Sequence, residues 1–295
     1  MIDPASINCV IYHASCNDGM GAAYAAWKLL GNKAEYIPCR HGGDLPDLKG
    51  KRVAVLDFSF DNKTTKRQIE DAEAYILIDH HKSAVIELHD LSQYTMFDLN
   101  KSGAMLAWEF FHPGKEPPKF IQYIQDRDLW AWEMPYSKEF AAAFDMVPFE
   151  FKAYEEFEDD SVLDDAIKRG SYILAYSRTV INKICEKAAD RRIMINDRLY
   201  NIKIVNSSHW QSEIGGVLAK ECDFAFVYFY SHNTNSYSVS LRSFHEDVDV
   251  SLVAKFFGGG GHKKAAGMNL LNHPETLFYF EDVVEENTEE YFGSD

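Results

Sequence analysis

Three short apolar runs in the first eighty residues each lead directly into an aspartate or a histidine. The runs cover residues 8–12, 52–56 and 75–78, and the residues that follow them are His13, Asp57 and Asp79. Apolar runs of this length between polar residues are typical of buried strands in a parallel sheet. Such sheets carry their functional groups just beyond the carboxyl ends of the strands. The spacing therefore predicts an α/β domain that brings these side chains to one edge of the sheet.

The side chains at these strand ends are of the kinds that bind divalent metal ions. Asp79 is followed by His80 and His81, and Asp18 lies in a glycine-containing turn after the first run. Carboxylate oxygens and imidazole nitrogens are common ligands of first-row divalent metals. The competing interpretation is an N-cap aspartate with two surface histidines, and for His13 a structural histidine. Because such residues recur after three strands, we favour a single shared metal site.

Charge and cysteine content restrict the partners and the compartment. The formal net charge is −16, from 30 basic and 46 acidic residues. A long nucleic acid duplex is bound through neutralisation of its phosphates, so this charge argues against such a partner. The 5 cysteines include no Cys-x-x-Cys pair, which fits a reducing compartment. Since neither a signal peptide nor a membrane-spanning run is visible, we expect a cytoplasmic protein without a membrane partner.

A second unusual cluster lies near the C-terminal end of the sequence. Four consecutive glycines at residues 258–261 precede His262, Lys263 and Lys264, and Arg242 ends a predicted strand shortly before them. Successive backbone amides in a glycine-rich loop form a concave anion site, and arginine binds phosphate oxygens in a bidentate manner. We interpret the cluster as a phosphate-binding loop. The competing interpretation is a flexible surface loop with incidental basic residues.

A long helix is predicted between the two clusters, at roughly residues 162–188. It follows the βα repeats and precedes a strand-rich region, which is the usual position of a helix between domains. The predicted organisation is an α/β catalytic domain with a parallel sheet at residues 1–160, a linker helix at residues 161–191, and a smaller α/β domain at residues 192–295.

Five motifs occur along the chain in a fixed order. They are YHASCNDGMGAA, LDFSF, the Asp-His-His triplet, QDRDLW, and the run GGGH preceded by the strand SLRS. In this order they resemble the DHH phosphoesterase superfamily with its DHHA1 C-terminal domain. The resemblance spans nearly the whole chain and is greatest to the oligoribonuclease, or nanoRNase, branch.

The resemblance implies a dinuclear metal site and a substrate-binding second domain. The metal would be manganese, with magnesium or cobalt as substitutes. The metal ligands that it implies are His13, Asp18, Asp57, Asp79, His80 and Asp126. The residues with implied catalytic roles are Asp57, Asp79 and His81. The implied substrate-binding residues are His81, Arg242, Gly259, Gly260, Gly261 and His262.

Two positions within the metal motifs are open. Many members of the superfamily have an aspartate where this sequence has Cys16, and a thiolate suits manganese or magnesium less well than a carboxylate. Cys16 is therefore a weak ligand, a residue that leaves one metal open to water, or a bystander. Asp126 and Asp128 are both candidates in the fourth motif, where the competing interpretation is an ordinary charged helix end. Motif position favours Asp126.

The activity implied by the resemblance is that of a metal-dependent exonuclease. It would hydrolyse short oligonucleotides or linear dinucleotides to nucleoside monophosphates. Two alternatives within enzymes are a nucleotide 3′-phosphatase and a cyclic-dinucleotide hydrolase. A third alternative is a non-catalytic nucleotide-binding module, which only Cys16 favours. The sequence leaves open whether the chain forms a homodimer.

Overall fold

The computed structural model describes residues 2–40, 42–44, 46–277 and 281–282. The chain divides into two compact units, residues 1–174 and residues 175–295. The division falls within the longest helix, so this helix contributes to both units. The last residues of the predicted second domain, 283–295, lie outside the described part of the chain.

The first unit is built on a five-stranded parallel sheet. Its strands are β1 (Cys9–His13), β2 (Glu35–Cys39), β3 (Arg52–Leu56), β4 (Ala74–Asp79) and β5 (Thr95–Phe97). Their order in the sheet is β2-β1-β3-β4-β5, and all four neighbouring pairs are parallel. The three strands that carry the predicted metal ligands, β1, β3 and β4, are therefore the central ones. Since they are parallel, their carboxyl ends lie at one edge.

In the described part of the first unit, seven α-helices accompany this sheet, together with short 3₁₀ helices and the first part of the longest helix. They are α1 (Asn17–Leu30), α2 (Asn62–Asp71), α3 (Lys82–Glu87), α4 (Gly103–Phe111), α5 (Lys119–Asp128), α6 (Ser137–Phe144) and α7 (Phe151–Glu155). The sheet is buried on both faces. Alternate residues of its strands pack in two different hydrophobic cores, one on each face. Ala54 and Leu56 pack in the core that contains α1 and α4, whereas Val53 and Val55 pack in the core on the other face. Burial on both faces explains why these strands are continuous apolar runs.

The second unit follows the long helix α8 (Asp160–Cys185) and contains a mixed sheet. Its strands are β6 (Ala189–Ile195), β7 (Arg198–Asn206), β8 (Phe224–Ser231), β9 (Ser236–Arg242), β10 (Gly260–His262), β11 (Ala265–Leu270) and β12 (Glu281–Asp282). Its helices are α9 (Gln211–Leu218), α10 (Val250–Phe256) and α11 (Pro274–Leu277). The strand order is β10-β11-β9-β8-β7-β6-β12, with β7 and β8 as its parallel pair. The predicted α/β class, with an N-terminal parallel sheet and a smaller second domain, is confirmed.

The glycine run, which was predicted to be a phosphate-binding loop, lies partly in a strand. Residues 260–262 form β10, which pairs with β11 in a tight antiparallel hairpin. A Cβ atom on Gly261 would lie 2.5 Å from the Cα of Ala266, and one on Gly259 would collide with the backbone of Gly267. Two of the glycines are therefore required because two strands approach closely, which the sequence alone did not reveal. Gly260 has open space around it.

Candidate metal centre and active site

The ends of the three central strands bring together two histidines and two aspartates. His13 ends β1, Asp57 follows β3, and His80 follows β4. His13 Nδ1 lies 3.5 Å from Asp57 Oδ2, and His80 Nε2 lies 3.2 Å from Asp57 Oδ1. His80 Nε2 also lies 3.5 Å from an oxygen of Asp18, which comes from the first turn of α1. The structure thus assembles these four predicted ligands in one cluster.

The Asp57 side chain reaches the centre of this cluster from a left-handed backbone. Its φ angle is 53°, a conformation that aspartate tolerates better than most residues with a side chain. Its amide still donates a 2.9 Å hydrogen bond to the carbonyl of Ile78, so the residue remains attached to β4. The local strain at Asp57 is typical of functional positions.

The carboxylate of Asp18 is held by the N-terminus of α4. The amides of Gly103 and Ala104 donate hydrogen bonds of 2.6 and 2.8 Å to its two oxygens. Ser102 caps the helix by accepting a hydrogen bond from the amide of Met105. The positive end of a helix favours an anion at this position. These two amides were not predicted from the sequence, although a serine followed by glycine before an apolar run is a recognisable helix start.

Asp79 positions the histidines that follow it. Its Oδ1 atom accepts hydrogen bonds from the amides of His80 and His81, at 2.7 and 3.2 Å. The same oxygen lies 2.7 Å from His81 Nδ1. This contact favours a proton on Nδ1 and leaves Nε2 as the ring nitrogen available to a ligand. The hydrogen bond with Asp79 raises the pKa of His81, whose ring is about half exposed.

The cluster concentrates negative charge in a buried place. Asp18, Asp57 and Asp79 are each at most 2% exposed. Burial raises the pKa of Asp18 well above its usual value, and the charges of Asp57 and Asp128 raise it further. Burial opposes the charge on His80, but its contact with Asp57 and the charges of Asp18 and Asp128 outweigh this effect and raise its pKa to about 9. For Asp57, contacts with His13 and His80 outweigh burial and lower the pKa.

The arrangement fits divalent cations. Asp79 Oδ2 is buried and has no hydrogen-bond partner among the described residues, and the contact of the buried Asp57 Oδ1 is His80 Nε2 at 3.2 Å. Buried carboxylate oxygens without partners are costly unless a cation neutralises them. Within the described residues, three groups have ligand atoms within 4.8 Å of one another: Asp57, Asp79, His80 and His81; His13, Cys16 and Asp57; and Asp18, His80 and Asp128. Oxygen and imidazole donors of this kind suit ions such as Mn²⁺ and Mg²⁺.

Of the two aspartates in the fourth motif, Asp128 and not the predicted Asp126 lies beside the cluster. The carboxylate of Asp126 accepts hydrogen bonds from the amides of Glu133 and Met134, at 2.8 and 3.3 Å, and is not part of the cluster. Asp128 is brought there instead, with Oδ2 3.5 Å from His80 Nε2. Both residues lie in the last turn of α5. Since residues two apart on a helix point in different directions, only one of them can face the cluster.

Cys16 lies beside His13 and Asp57 rather than away from the cluster. Burial and the negative charge of Asp57 raise the pKa of its thiol to about 11. The thiol therefore keeps its proton at neutral pH unless a cation lowers this pKa.

In the second unit, Arg242 and His262 lie in one row of the sheet. Arg242 is paired with Ala265 across β9 and β11, and Ala265 is paired with His262 across β11 and β10. Paired residues share a face of the sheet, and two strand spacings amount to about 10 Å. The Arg242 guanidinium donates hydrogen bonds to Ser212 Oγ and to the Leu241 carbonyl, at 2.7 and 2.8 Å. The register thus places two predicted substrate-binding residues on one face, with a small residue between them.

Among the described residues, no helix combines the length and the apolar character that crossing a bilayer requires.

Comparisons with known proteins give two relatives by sequence. No family model matches the chain. An uncharacterized protein of Acanthamoeba polyphaga mimivirus is 34% identical over 282 residues, which cover 89% of this chain and 67% of that protein. Oligoribonuclease NrnB of Bacillus subtilis is 26% identical over 226 residues, which cover 70% of this chain and 55% of NrnB. The chain thus matches only about half to two thirds of the length of these relatives.

Comparison with solved structures identifies a protein of the same fold. The pGpG-specific phosphodiesterase PggH from Vibrio cholerae superimposes with a TM-score of 0.55 at 12% identity. The match covers 89% of this chain and 93% of PggH. At 12% identity, this similarity shows that the two proteins share a fold and nothing about their activities.

Proposed function

We propose that the chain belongs to the DHH/DHHA1 phosphoesterase superfamily, which its five ordered motifs resemble, and that it hydrolyses phosphodiester bonds in short oligonucleotides or linear dinucleotides. The products would be nucleoside monophosphates. The name of the relative NrnB, an oligoribonuclease, supports this substrate class. The formal net charge of −16 also favours short substrates, because a long single strand would be repelled.

One observation carries the proposal: buried carboxylates and imidazoles converge at the ends of β1, β3 and β4, and the buried Asp79 Oδ2 has no hydrogen-bond partner among the described residues. Such a cluster destabilises a fold unless a ligand neutralises it. Phosphoryl transfer is a reaction that needs concentrated positive charge beside the substrate phosphate. A cation-binding cluster at this sheet edge would meet that need.

The proposed ligands of two divalent ions are His13, Asp18, Asp57, His80 and Asp128. Cys16, which lies beside His13, would be a weaker donor. Asp57 belongs to two of the ligand groups and would contribute to both ions. We propose Mn²⁺ as the ion, with Mg²⁺ or Co²⁺ as substitutes. Bound ions of this kind polarise phosphoryl oxygens and lower the pKa of water.

Asp79 and His81 would have roles toward the substrate phosphate. The hydrogen bond from His81 Nδ1 to Asp79 fixes the ring and favours the imidazolium form, in which Nε2 would donate to a phosphoryl or leaving oxygen. Asp79 also orients His80 through the backbone. We therefore assign Asp79 a positioning role and His81 a direct role toward the phosphate.

The second unit carries the other predicted substrate-binding residues. We propose that Arg242 and His262, which lie in one row of the sheet, bind a phosphate or sugar. Gly259 lines a cavity of about 360 Å³ in this unit. Gly260 and Gly261 would contribute backbone atoms, and Gly260 is the one with open space around it.

The test is hydrolysis of 5′-labelled RNAs that range from a dinucleotide to about 16 nucleotides, the upper site size of a single-strand groove. Each RNA is incubated with Mn²⁺, with chelator, and with the Asp57→Asn variant, which keeps a side chain that tolerates the left-handed backbone. We expect fast release of mononucleotides from the shortest RNAs, abolished by the chelator and by the substitution.

Other outcomes would replace the proposal. Activity that rises with RNA length would indicate a processive single-strand exonuclease. No turnover at any length would indicate the nucleotide 3′-phosphatase, the cyclic-dinucleotide hydrolase or the non-catalytic module. Metal analysis of the purified protein, together with assays on 3′-phosphorylated and cyclic nucleotides, would decide among these three.

A further inference from the structure

A cavity of about 550 Å³ in the first unit opens beside the metal cluster. His13, Cys16, Asp18 and Asp128 line part of it, and all four are members of the cluster described above. The remaining wall is largely aromatic and aliphatic, and it includes Ile124, Phe140, Phe144 and Phe149. The volume is within the range of small-molecule sites. A molecule that placed a phosphate at the cluster could therefore extend into this cavity.

Trp130 is the most exposed aromatic side chain on the wall of this cavity. Its side chain is 75% exposed, whereas Phe140 and Phe144 are each 1% exposed. Phe149, on the same wall, is 46% exposed. A large aromatic surface left in water forgoes the stabilisation that burial would give. Trp130 and Phe149 thus present apolar ring surface to whatever enters the cavity.

The backbone at Trp130 is unfavourable for a tryptophan. Helix α5 ends at Asp128, and Trp130 follows in the left-handed conformation with a φ of 57°. Glycine is the usual residue at such a helix terminus because it has no Cβ. A bulky residue in this conformation costs on the order of 1 kcal/mol or more. The chain therefore has a tryptophan at a position where a glycine would avoid this backbone cost.

Asp126 holds the turn that presents Trp130. Its carboxylate accepts hydrogen bonds from the amides of Glu133 and Met134, and its carbonyl accepts from Ala131 and Trp132. The turn is further fixed where the Tyr123 hydroxyl donates a 2.8 Å hydrogen bond to the Pro135 carbonyl. A buried carboxylate and a buried tyrosine are thus used to support an exposed, strained tryptophan.

The cavity also has a polar wall that is ordered by a chain of hydrogen bonds. The Tyr154 hydroxyl donates to Asn17 Oδ1 at 2.8 Å, and Asn17 Nδ2 donates to Asp145 Oδ1 at 2.9 Å. The Arg127 guanidinium forms an ion pair with the same Asp145 oxygen. Asn17, Arg127 and Asp145 line the same cavity as Trp130, so a ring bound there would meet polar side chains as well as aromatic ones.

From these observations we infer that this cavity is a nucleobase subsite, in which Trp130 stacks on the base of the nucleotide whose phosphate lies at the metal cluster. The inference rests on the proposed function, because it assumes a nucleotide phosphate at the cluster. A base is the occupant that fits best, since it is flat, aromatic and polar at its edge, and is joined to a phosphate. Stacking on an aromatic side chain contributes about 1–3 kcal/mol per base.

The test compares two ligands that differ only in the base, AMP and ribose 5-phosphate. Their dissociation constants are measured by calorimetry with the full-length protein and Mn²⁺. We expect the wild type to bind AMP more tightly by about 5- to 150-fold, the equivalent of one stacked base. Trp130→Gly should bring AMP to the affinity of ribose 5-phosphate and leave the latter unchanged, and Trp130→Phe should keep most of the preference.

The substitution Trp130→Gly relieves the backbone strain, so its melting temperature should equal or exceed that of the wild type. Tyr136→Gly is the matched control, because Tyr136 is also left-handed and 65% exposed but does not line the cavity. This control should keep the AMP preference. An equal preference in wild type and Trp130→Gly, or no preference in the wild type, would overturn the subsite.

The two proposals fail in different ways. If the preference for AMP depends on Trp130 but the protein hydrolyses no dinucleotide, the subsite is supported and the proposed phosphodiesterase activity is rejected. If the protein hydrolyses dinucleotides but its preference for AMP does not depend on Trp130, the subsite is rejected and the proposed phosphodiesterase activity is supported.

Discussion

Gly103 lies so close to Asp57 that a Cβ atom on the glycine would stand 2.5 Å from the Cβ of the aspartate. The amide of the same glycine donates a 2.6 Å hydrogen bond to Asp18. One residue thus fixes two of the proposed metal ligands, through its amide and through the absence of a side chain. This relationship explains why α4 begins with glycine despite its poor helix propensity.

Replacing Gly103 with alanine should weaken metal binding. The added methyl group must displace Asp57 or the start of α4, so both carboxylates would shift. We expect Mn²⁺ affinity to fall by about 10- to 100-fold, as for other changes around a metal site. Calorimetric titration with Mn²⁺ measures this, with Gly216→Ala in α9 as the control because its Cβ would meet open space. Equal affinities in wild type and Gly103→Ala would contradict the assigned contact.

Substitutions of the two aspartates of the fourth motif should have different effects, one on the stability of the fold and the other on metal binding. Asp126→Asn removes the charge from a buried group that accepts two backbone hydrogen bonds, and should lower the free energy of unfolding by about 1–3 kcal/mol. Asp128→Asn should leave this energy nearly unchanged and weaken Mn²⁺ binding. Urea unfolding and calorimetry of both variants measure the difference. If Asp126→Asn alone weakened metal binding, the placement of Asp128 in the cluster would be wrong.

Two neighbouring glycines of β10 should respond differently to alanine. Gly261 has a φ of 142° and no room for a Cβ beside Ala266, so Gly261→Ala should lower the melting temperature. Gly260 has open space, so Gly260→Ala should leave the melting temperature unchanged. If substrate approaches the Gly260 backbone, this variant should still raise KM for a dinucleotide. An unchanged KM would remove Gly260 from the substrate-binding residues.

Adding Mn²⁺ should raise the melting temperature of the first unit. The ion would neutralise three buried carboxylates that otherwise repel one another. At a free concentration of about 100 times its Kd, a ligand stabilises by about 2.7 kcal/mol. Differential scanning calorimetry with Mn²⁺ and with chelator measures the shift, and Asp57→Asn should abolish most of it. A melting temperature that does not change when Mn²⁺ is added would argue against a metal site in this cluster.

The sheet that carries the site was predictable because its signal is local. The apolar runs at residues 8–12, 52–56 and 75–78 correspond to Cys9–His13, Arg52–Leu56 and Ala74–Asp79. Burial on both faces makes each strand a continuous apolar run, and the following polar residue marks the strand end. The convergence of His13, Asp57 and His80 then follows from parallel pairing alone.

The features that sequence reasoning missed depend on contacts between distant segments. Asp126 and Asp128 have the same chemistry, and only the rotation of α5 against the sheet decides which one faces His80. The amides of Gly103 and Ala104 carry no side-chain signal at all. The role of Gly261 was likewise hidden, because the strand that excludes a Cβ is formed by later residues. β6 was not predicted, since its exposed and buried residues alternate without a long apolar run.

The placement of the ligands also sets when the site can form during folding. They come from positions 13, 18, 57, 80 and 128, and the amides that hold Asp18 come from positions 103 and 104. A chain emerging from the ribosome therefore lacks a complete site until nearly the whole first unit has been made, and closing such long loops is slow. An ion at the proposed site would therefore stabilise the completed first unit and not an early segment of it.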